Sequence, residues 1–523
     1  MSLARDFLAK SEDPTIVLNL NLDNTALAVE GFEDWNCGDI ENCGVNNDVV
    51  INNNSLVRIS NQEVRHAGEV ITALSSGAQI LKSIGAPLTD ENIVEIGRAE
   101  IPFNFDIANT LKLQNRDFQG RLYSIDVGGK VGNTQISFSA YHSLVQGKIK
   151  DMTHDSDVLT VTIDTLPVEY LNEFPLNTYR GTGGRQGDED NLGRTKPYAV
   201  GFVENATPVD LGNGLYQFHD GTGAVATEVF DQGVNLTLVE GNPFTGDPAI
   251  GEYMTNTTGF IKVHIETDQL TCHIQGALIG GGFDARADKI LSHITTRATA
   301  GRRKLNDLGG DWEMGYYFTT RRPIIEYVRE IATNLDYYII HEDNGDLSLK
   351  KRYNGNRTDF QGNLNEINTF SFDGSNIIED TINGLGTSPR YTNYNVGYRQ
   401  NWTPLRRTEL PPEKRREFSR EGLLARESST LTIEDGVREN TREWQSNLRH
   451  KNDADKLASL VYRESLRRRK YEFEVENYRW LLMPGMVGTI DHPIIRSGLF
   501  EIASVNDDTD TEELTTKVTG YLL

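Results

Sequence analysis

Few of the 523 residues stand in patterns that chemistry requires. His219-Asp220 closes an apolar run from Leu215 to Phe218 and precedes Gly221. A histidine beside a carboxylate can serve as a general base when a nucleophile comes close. Neighbouring residues on a strand point to opposite faces, however, so the simpler expectation is a turn closed by Asp220 onto backbone N–H groups and a packed or hydrogen-bonded His219. His341-Glu342 runs into the turn Asp343 to Asp346 and not along a helix, so it offers no two-histidine metal face. Cys37, Cys43 and Cys272 are too few and too oddly spaced for a disulfide scaffold or a zinc knuckle. Acidic clusters at Asp188, Glu189 and Asp190, and at Asp507, Asp508 and Asp510, supply hard oxygen ligands but lack the alternating calcium loop. No zinc-protease motif, nucleophile elbow, phosphate-binding glycine loop or paired-cysteine motif occurs. Paired carboxylates for glycoside hydrolysis depend on spatial separation, which 76 acidic residues leave open. No catalytic, cofactor-binding or metal-binding residue is therefore assigned, and the expectation is a protein that is not an enzyme.

The elements behind these residues follow from composition. At roughly 150 residues per domain the length predicts three or four folded units. The 48 glycines fall at short intervals between apolar pairs, as turns punctuate strands, which disfavours a helix bundle. No stretch approaches 18 uninterrupted apolar residues, so no membrane insertion is expected. The opening residues, Met1 to Pro14, lack a signal-peptide core, and synthesis in a cytosol is expected. The formal charge of −24 repels nucleic acid at long range. It is unevenly spread: residues 401–470 hold 17 Lys plus Arg against 12 Asp plus Glu, a net of +5, leaving −29 on the rest.

Apolar residues at period two place a strand at 15–22, with others at 101–107, 118–127, 135–141 and 158–165, Gly128-Gly129 as a hairpin turn, and a helix at 69–84. This rhythm points to a barrel or small sandwich. The glycine-rich stretch 179–193 marks a boundary or a long ordered loop. A second β unit follows, with strands at 196–203, 214–220, 226–233, 259–265 and 271–276, then a helix at 288–299. Within 321–334, Pro323 suits a first turn and Ile324, Ile325, Val328, Ile331 and Ala332 form one stripe. A hairpin follows, 336–341 and 347–350 around Asn344-Gly345. The last region has strands at 391–398, 471–476, 486–491, 500–505 and 517–521 and a helix at 453–466 capped by Asp453, with Leu457, Leu460 and Val461 inward. The basic run Arg463, Arg467, Arg468, Arg469 and Lys470 is placed at that helix's C-terminus. The charged stretch reads as an arm for a neighbouring subunit or partner.

Tyr179, Arg180, Gly181, Gly183, Gly184, Gly193, Lys196 and Pro197, the run from Tyr198 to Val209, and Tyr216 to Gly221 together resemble the tail-tip or baseplate-hub proteins of long-tailed bacteriophages. Asp231, Gly233 and Val234 extend the resemblance, with 395–402 and 484–490 as further segments. It implies a mainly β, multidomain protein with α+β modules: two tail-tube-like β-barrels interrupted by an inserted β domain and a helix-hairpin domain. The corresponding boundaries are 1–178 for the first barrel region, 179–285 for the inserted β domain, and 286–360 for a linker helix and helix-hairpin domain. A last barrel-like domain spans 361–523, with its charged arm at about 403–450. The implied role is structural, in the virion at the distal tail tip: a homotrimer closing the tail tube as a ring. Its implied partners are the distal tail protein, the tape measure protein and tail fibre or receptor-binding proteins, with DNA passing through the lumen. The resemblance supplies no catalytic residues; it makes His219 and Asp220 packing and turn residues and has Pro197 and Pro208 fix strand entry and exit. A virion-associated peptidoglycan or glycan hydrolase and a receptor-binding adhesin are the alternatives.

Overall fold

The computed structural model describes the strands between residues 15 and 164 mainly as backbone. With isolated gaps it also describes residues 167–306, 312–351, 370–385, 391–428, 441–465, 469–476, 486–508 and 515–522. Residues 3–10, whose sequence suggests a short leading helix, Cys37 and Cys43, the Asn344-Gly345 turn and Asp510 lie outside the described residues.

The largest element is one open sheet of 13 strands drawn from both ends of the chain. Seven strands run in the order Leu56–Ser60, Thr15–Asn21, Leu122–Gly128, His142–His154, Val158–Asp164, Glu95–Pro102 and Gln79–Ser83, all antiparallel. Gln79–Ser83 then pairs antiparallel with Gly498–Asp508, register Ser83↔Ser504, and the sheet continues through Thr515–Leu522, Arg469–Glu476 and Ile377–Gly384. Val487–Asp491 and Ser371–Asp373 branch from the other half of the Gly498–Asp508 edge. The two regions expected as separate barrels thus share one ladder, and no second closed barrel is seen among the described residues.

Alternation explains the C-terminal half. Phe473 and Val475 point inward on one strand, and Phe500 and Ile502 on another. A register shift between Ile502 and Ser504 resets the alternation so that Val505 also faces the core. Phe372, on the strand at one end of this half, has its ring centroid 5.3 Å from Phe473 and 5.9 Å from Phe500. Rings from strands that are not neighbours can meet only if the sheet is strongly curled.

Two expectations here fail. The described residues of 69–84 are not helical but form the strands Glu69–Ile71 and Gln79–Ser83. Gly128-Gly129 does not join a hairpin either: Leu122–Gly128 pairs with His142–His154, and the small hairpin beyond it is Lys130–Val131 with Thr134–Gln135; residues 136–141 of the expected strand lie outside the described residues.

Between the two halves of the sheet stand two further cores. A sandwich of two five-stranded sheets comprises Val234–Asn235, Val225–Asp231, Leu270–Gln275, Tyr198–Ala206 and Gly315–Phe318 against Val209–Asp210, Leu215–Gln217, Phe260–Val263, Glu252–Thr255 and Thr237–Leu238. Val203, Val229, Cys272 and Ile274 from the first sheet meet Tyr253, Ile261 and Val263 from the second. Gly201 and Gly315 face each other across this ladder, and a Cβ on Gly315 would overlap the carbonyl oxygen of Phe202, so only glycine lets the strands approach.

The other core is helical and strand-lined. Its helices are α1 (Ala287–Ala298), α2 (Ile324–Asn334), the single turn α3 (Arg415–Phe418) at its margin, and α4 (Lys451–Ser465). On α2 the expected stripe is buried, joined by Tyr327. Leu305–Asn306, Leu347–Lys351 and Tyr337–His341 form one small sheet; Leu423–Ser428, Asn393–Tyr398 and Thr441–Gln445 form a second, covered by Leu457 and Val461 of α4. Both share one core with α1 and α2, so the helix and hairpin of 286–360 do not stand as a discrete module. Tyr170 binds them across a long span, donating to Lys304 O at 2.8 Å and accepting from Leu347 N–H at 3.1 Å. Asp453 lies inside α4, not at its cap, and Arg469 and Lys470 begin a strand, not a helix end.

The described parts of the charged stretch fold back on the sandwich. Leu405, Leu410 and Phe418 bury themselves with Phe230, and Phe418 meets Phe230 edge-on at 4.9 Å. Asn205 Nδ2 donates to Asn401 Oδ1 at 2.8 Å and to Thr403 O at 2.6 Å, while Asn401 Nδ2 donates to Phe418 O. Removing a fully buried phenyl ring costs about 3 kcal/mol or more, a roughly hundredfold rise in the locally open population. Phe418→Ala should therefore accelerate limited trypsin cleavage at Lys414 and Arg415, read by mass spectrometry, with the far-ultraviolet circular dichroism unchanged. Equal cleavage rates would show that Phe418 does not hold this segment.

Candidate functional site

The residues with chemical potential come together at the junction of the sandwich with α1. Leu215–Gln217 leads to His219, which is 1% exposed. Its backbone is gripped closely: Gln217 Nε2 donates to His219 O, and a Cβ on Gly259, whose φ is 86°, would overlap that same oxygen. The imidazole lies 4.5 Å from the Tyr198 ring. The Tyr198 hydroxyl is 2.8 Å from His293 Nε2, and the Arg297 guanidinium stands 4.9 Å over the Tyr198 ring. His293 and Arg297, one turn apart on α1, complete a stack that the sequence reading missed. Their spacing of four was the available signal, but nothing local links it to Tyr198.

Chemically this stack is closed. His219 Nδ1 accepts the Ala199 N–H at 3.1 Å, so that nitrogen carries no proton and is not free to take one from a substrate. Burial, followed by the positive charge of Arg297 and the proximity of His293, lowers its pKa from 6.5 to about 3. His293 is lowered too, by burial first and then by Arg297. The carboxylate of Asp220 turns to another partner, accepting from Asn177 Nδ2 at 2.7 Å and not from backbone N–H groups, while Asp220 N–H donates to Pro197 O at 2.7 Å. His219 and Asp220 therefore do not form a base and its orienting group. Pro197 and Pro208 flank the strand Tyr198–Ala206.

The remaining candidates are equally structural. The glycine-rich stretch is an ordered loop, closed where Tyr179 N–H meets Arg194 O and Gly193 N–H meets Tyr179 O. Within it Asn191 Nδ2 donates to Asp188 Oδ1 and Asp210 O, tying one acidic cluster into the fold. Asp507 and Asp508 end the strand Gly498–Asp508. Cys272 is fully buried and burial raises its thiol pKa, so no reactive thiolate is presented. His341 ends Tyr337–His341, paired with Leu347. Among the described residues no three His, Cys, Asp or Glu side chains converge on a metal site. No helix among them is long and apolar enough to cross a membrane.

Because the pKa of His219 is depressed, its neutral form contributes stability that is fully present above pH 6.5 and lost progressively as pH falls toward about 3. His219→Asn, which retains an acceptor near Nδ1, should flatten that part of the acid dependence of the urea midpoint between pH 7 and pH 4. An unchanged slope would place the acid sensitivity elsewhere.

No protein-family model and no curated protein matches the sequence. Among solved structures, the chain is similar to the 43 kDa tail protein of prophage MuSo2 from Shewanella oneidensis, at 9% identity and a TM-score of 0.38, over 88% of this chain and 97% of that one. A tail protein from Neisseria meningitidis MC58 matches at 9% identity and a TM-score of 0.42, over 88% and 95%. A chain of the virion of a native gene transfer agent particle matches at 11% and 0.41, over 68% and 90%.

Proposed function

We propose that this protein is the structural hub at the distal end of a phage tail, three copies closing or extending the tail tube as a ring. The reading rests on the motif resemblance around 179–221 and on one structural observation: an open, curled sheet built from both chain ends. Among the described residues its terminal strands, Leu56–Ser60, Ile377–Gly384 and, on the branch, Ser371–Asp373, each have one neighbour. A curved sheet that does not close on itself is a natural arc of a larger ring, and a head-to-tail contact that closes gives cyclic symmetry.

In this reading 1–178 and 361–523 supply the tube-like halves. The inserted β domain, 179–285, and the segment 286–360, together with the charged stretch of about 403–450, whose described part is folded against the sandwich, face outward toward the distal tail protein and the tail fibre or receptor-binding proteins. The tape measure protein meets the ring at its channel. The charge of −29 outside residues 401–470 suits a conduit through which DNA phosphates slide without being held. The role is one of anchoring and alignment in the virion, and the sealed chemistry of His219 supports scaffold over hydrolase.

Mass photometry of the purified chain, together with a density map of isolated tail ends, tests this. Three copies per tail end and a particle three times the mass of the chain are expected. A monomer in both, or lytic activity in a zymogram, would overturn it.

A further inference from the structure

At the end of the sandwich remote from the His219 stack, one short segment forms an edge of both sheets. Val225–Asp231 turns at Gln232 and Gly233, with φ of 48° and 80°, into Val234–Asn235, the edge of the first sheet. Three residues on, Thr237–Leu238 is the edge of the second. Leu236 N–H bonds inward to Val229 O, and Thr237 and Val239 N–H bond inward to Gly251 O and Tyr253 O. By alternation the Leu238 N–H faces away from that neighbour, toward an open side.

Beside this edge lies a cleft of about 540 Å³, lined among others by Asp231, Val234, Ile250, Glu252, His264 and Leu410. Its size is that of a pocket for several side chains. Large apolar residues are left in water around it: Val234 at 55% exposure, Leu238 at 57%, Ile250 at 76% and Ile265, next to His264, at 66%. Scattered single residues of this kind need no explanation, but four at one end of one sandwich mark an interaction surface. Asp231 and Glu252 each accept one backbone N–H, from Gln269 and Ala249, which leaves most of their acceptor capacity for a further donor. No Lys or Arg is among the lining residues, and Lys414, three residues past Pro411 on the rim, stands over the rings of Phe230 and Phe418.

We propose that this edge and cleft dock an extended segment of another protein in which apolar residues alternate with lysine or arginine. The segment adds a strand along the Thr237–Leu238 edge, sets its apolar side chains on Val234, Leu238 and Ile250, and places a cationic group against Asp231 and Glu252. The site is formed by the sandwich and the returning segment at Leu410, and it stands whether or not the chain closes a ring.

The test uses the full chain and a fluorescein-labelled peptide of about eight alternating valine and lysine residues, followed by anisotropy. Binding should be at least about tenfold tighter than for the valine–glutamate counterpart and for a valine–lysine peptide N-methylated at every second amide. Ile250→Lys, at an exposed position that leaves the fold intact, should weaken binding by at least roughly tenfold, and Leu238→Pro should do the same. Equal affinity for the three peptides, or unchanged binding by Ile250→Lys, would overturn the proposal. So would self-association of the wild-type chain that Ile250→Lys abolishes, since the surface would then belong to a second copy.

Discussion

The ladder between Gln79–Ser83 and Ser504–Asp508 is the contact on which the rest of the architecture depends, because it joins strands from opposite ends of the chain. Once those strands are neighbours, everything between them must leave the sheet and come back. The entropy of closing so long a loop rises only logarithmically with its length, so large excursions are tolerated provided each carries its own core. The structure meets that condition. The sandwich buries Val203, Val229 and Ile261, the α/β region buries Ile290, Ile331 and Leu457, and the C-terminal half of the sheet buries Phe372, Phe473 and Phe500, in three separate clusters. Local cores form before long-range ladders, so the joining of the chain ends is the natural last step of folding.

Between sandwich and α/β region the seam is held differently. Glu204 pairs with the Arg399 guanidinium at 2.8 Å, but the side chains are 22% and 40% exposed, where an ion pair contributes little. More of the seam's strength lies in buried groups. Asn205, held at a φ of 51°, aims its amide at Asn401 and Thr403, and Phe418 fills the space against Phe230. Amide-to-amide contacts are directional and neutral, so they fix the register of the returning segment without the desolvation cost of a buried charge.

Those contacts also explain what was legible in the sequence. The period-two strand Thr15–Asn21, the apolar run that opens Tyr198–Ala206 and the α2 stripe were readable because their signal is local. Residues 69–84 misled because a run such as Ile80, Leu81 and Ile84 suits a helical face until Gln79–Ser83 is claimed by partners on both sides. The bulge after Ile502 is set by how two strands pair and has no signature on either alone. The charged arm was read by its surface, since Leu405, Leu410 and Phe418 are sparse among arginines and glutamates. That His219 would pack and hydrogen-bond was legible; that His293 and Arg297 would join its stack depended on α1 docking against the sandwich, which no local pattern encodes.

The exposed edges complete the physical picture by their contrast. Ile377–Gly384 ends the large sheet, and there the ladder is interrupted between Ile378 and Asn383, where the Thr381 hydroxyl, not a backbone carbonyl, accepts the Glu474 N–H. Glu379 and Asp380 project into water at the same point. A bulge and two carboxylates are the usual means by which a sheet avoids unwanted strand addition, so a ring contact at this edge is made through side chains and not by extending the ladder. The segment Val234–Val239 carries no such device. Its exposed side chains are Val234, Asn235, Thr237 and Leu238, and the carboxylates beside it lie in the cleft. One chain therefore guards one edge and leaves another apolar, and an unguarded apolar edge is a liability unless something covers it. That asymmetry, more than the cleft's size, is the physical reason to expect a partner there.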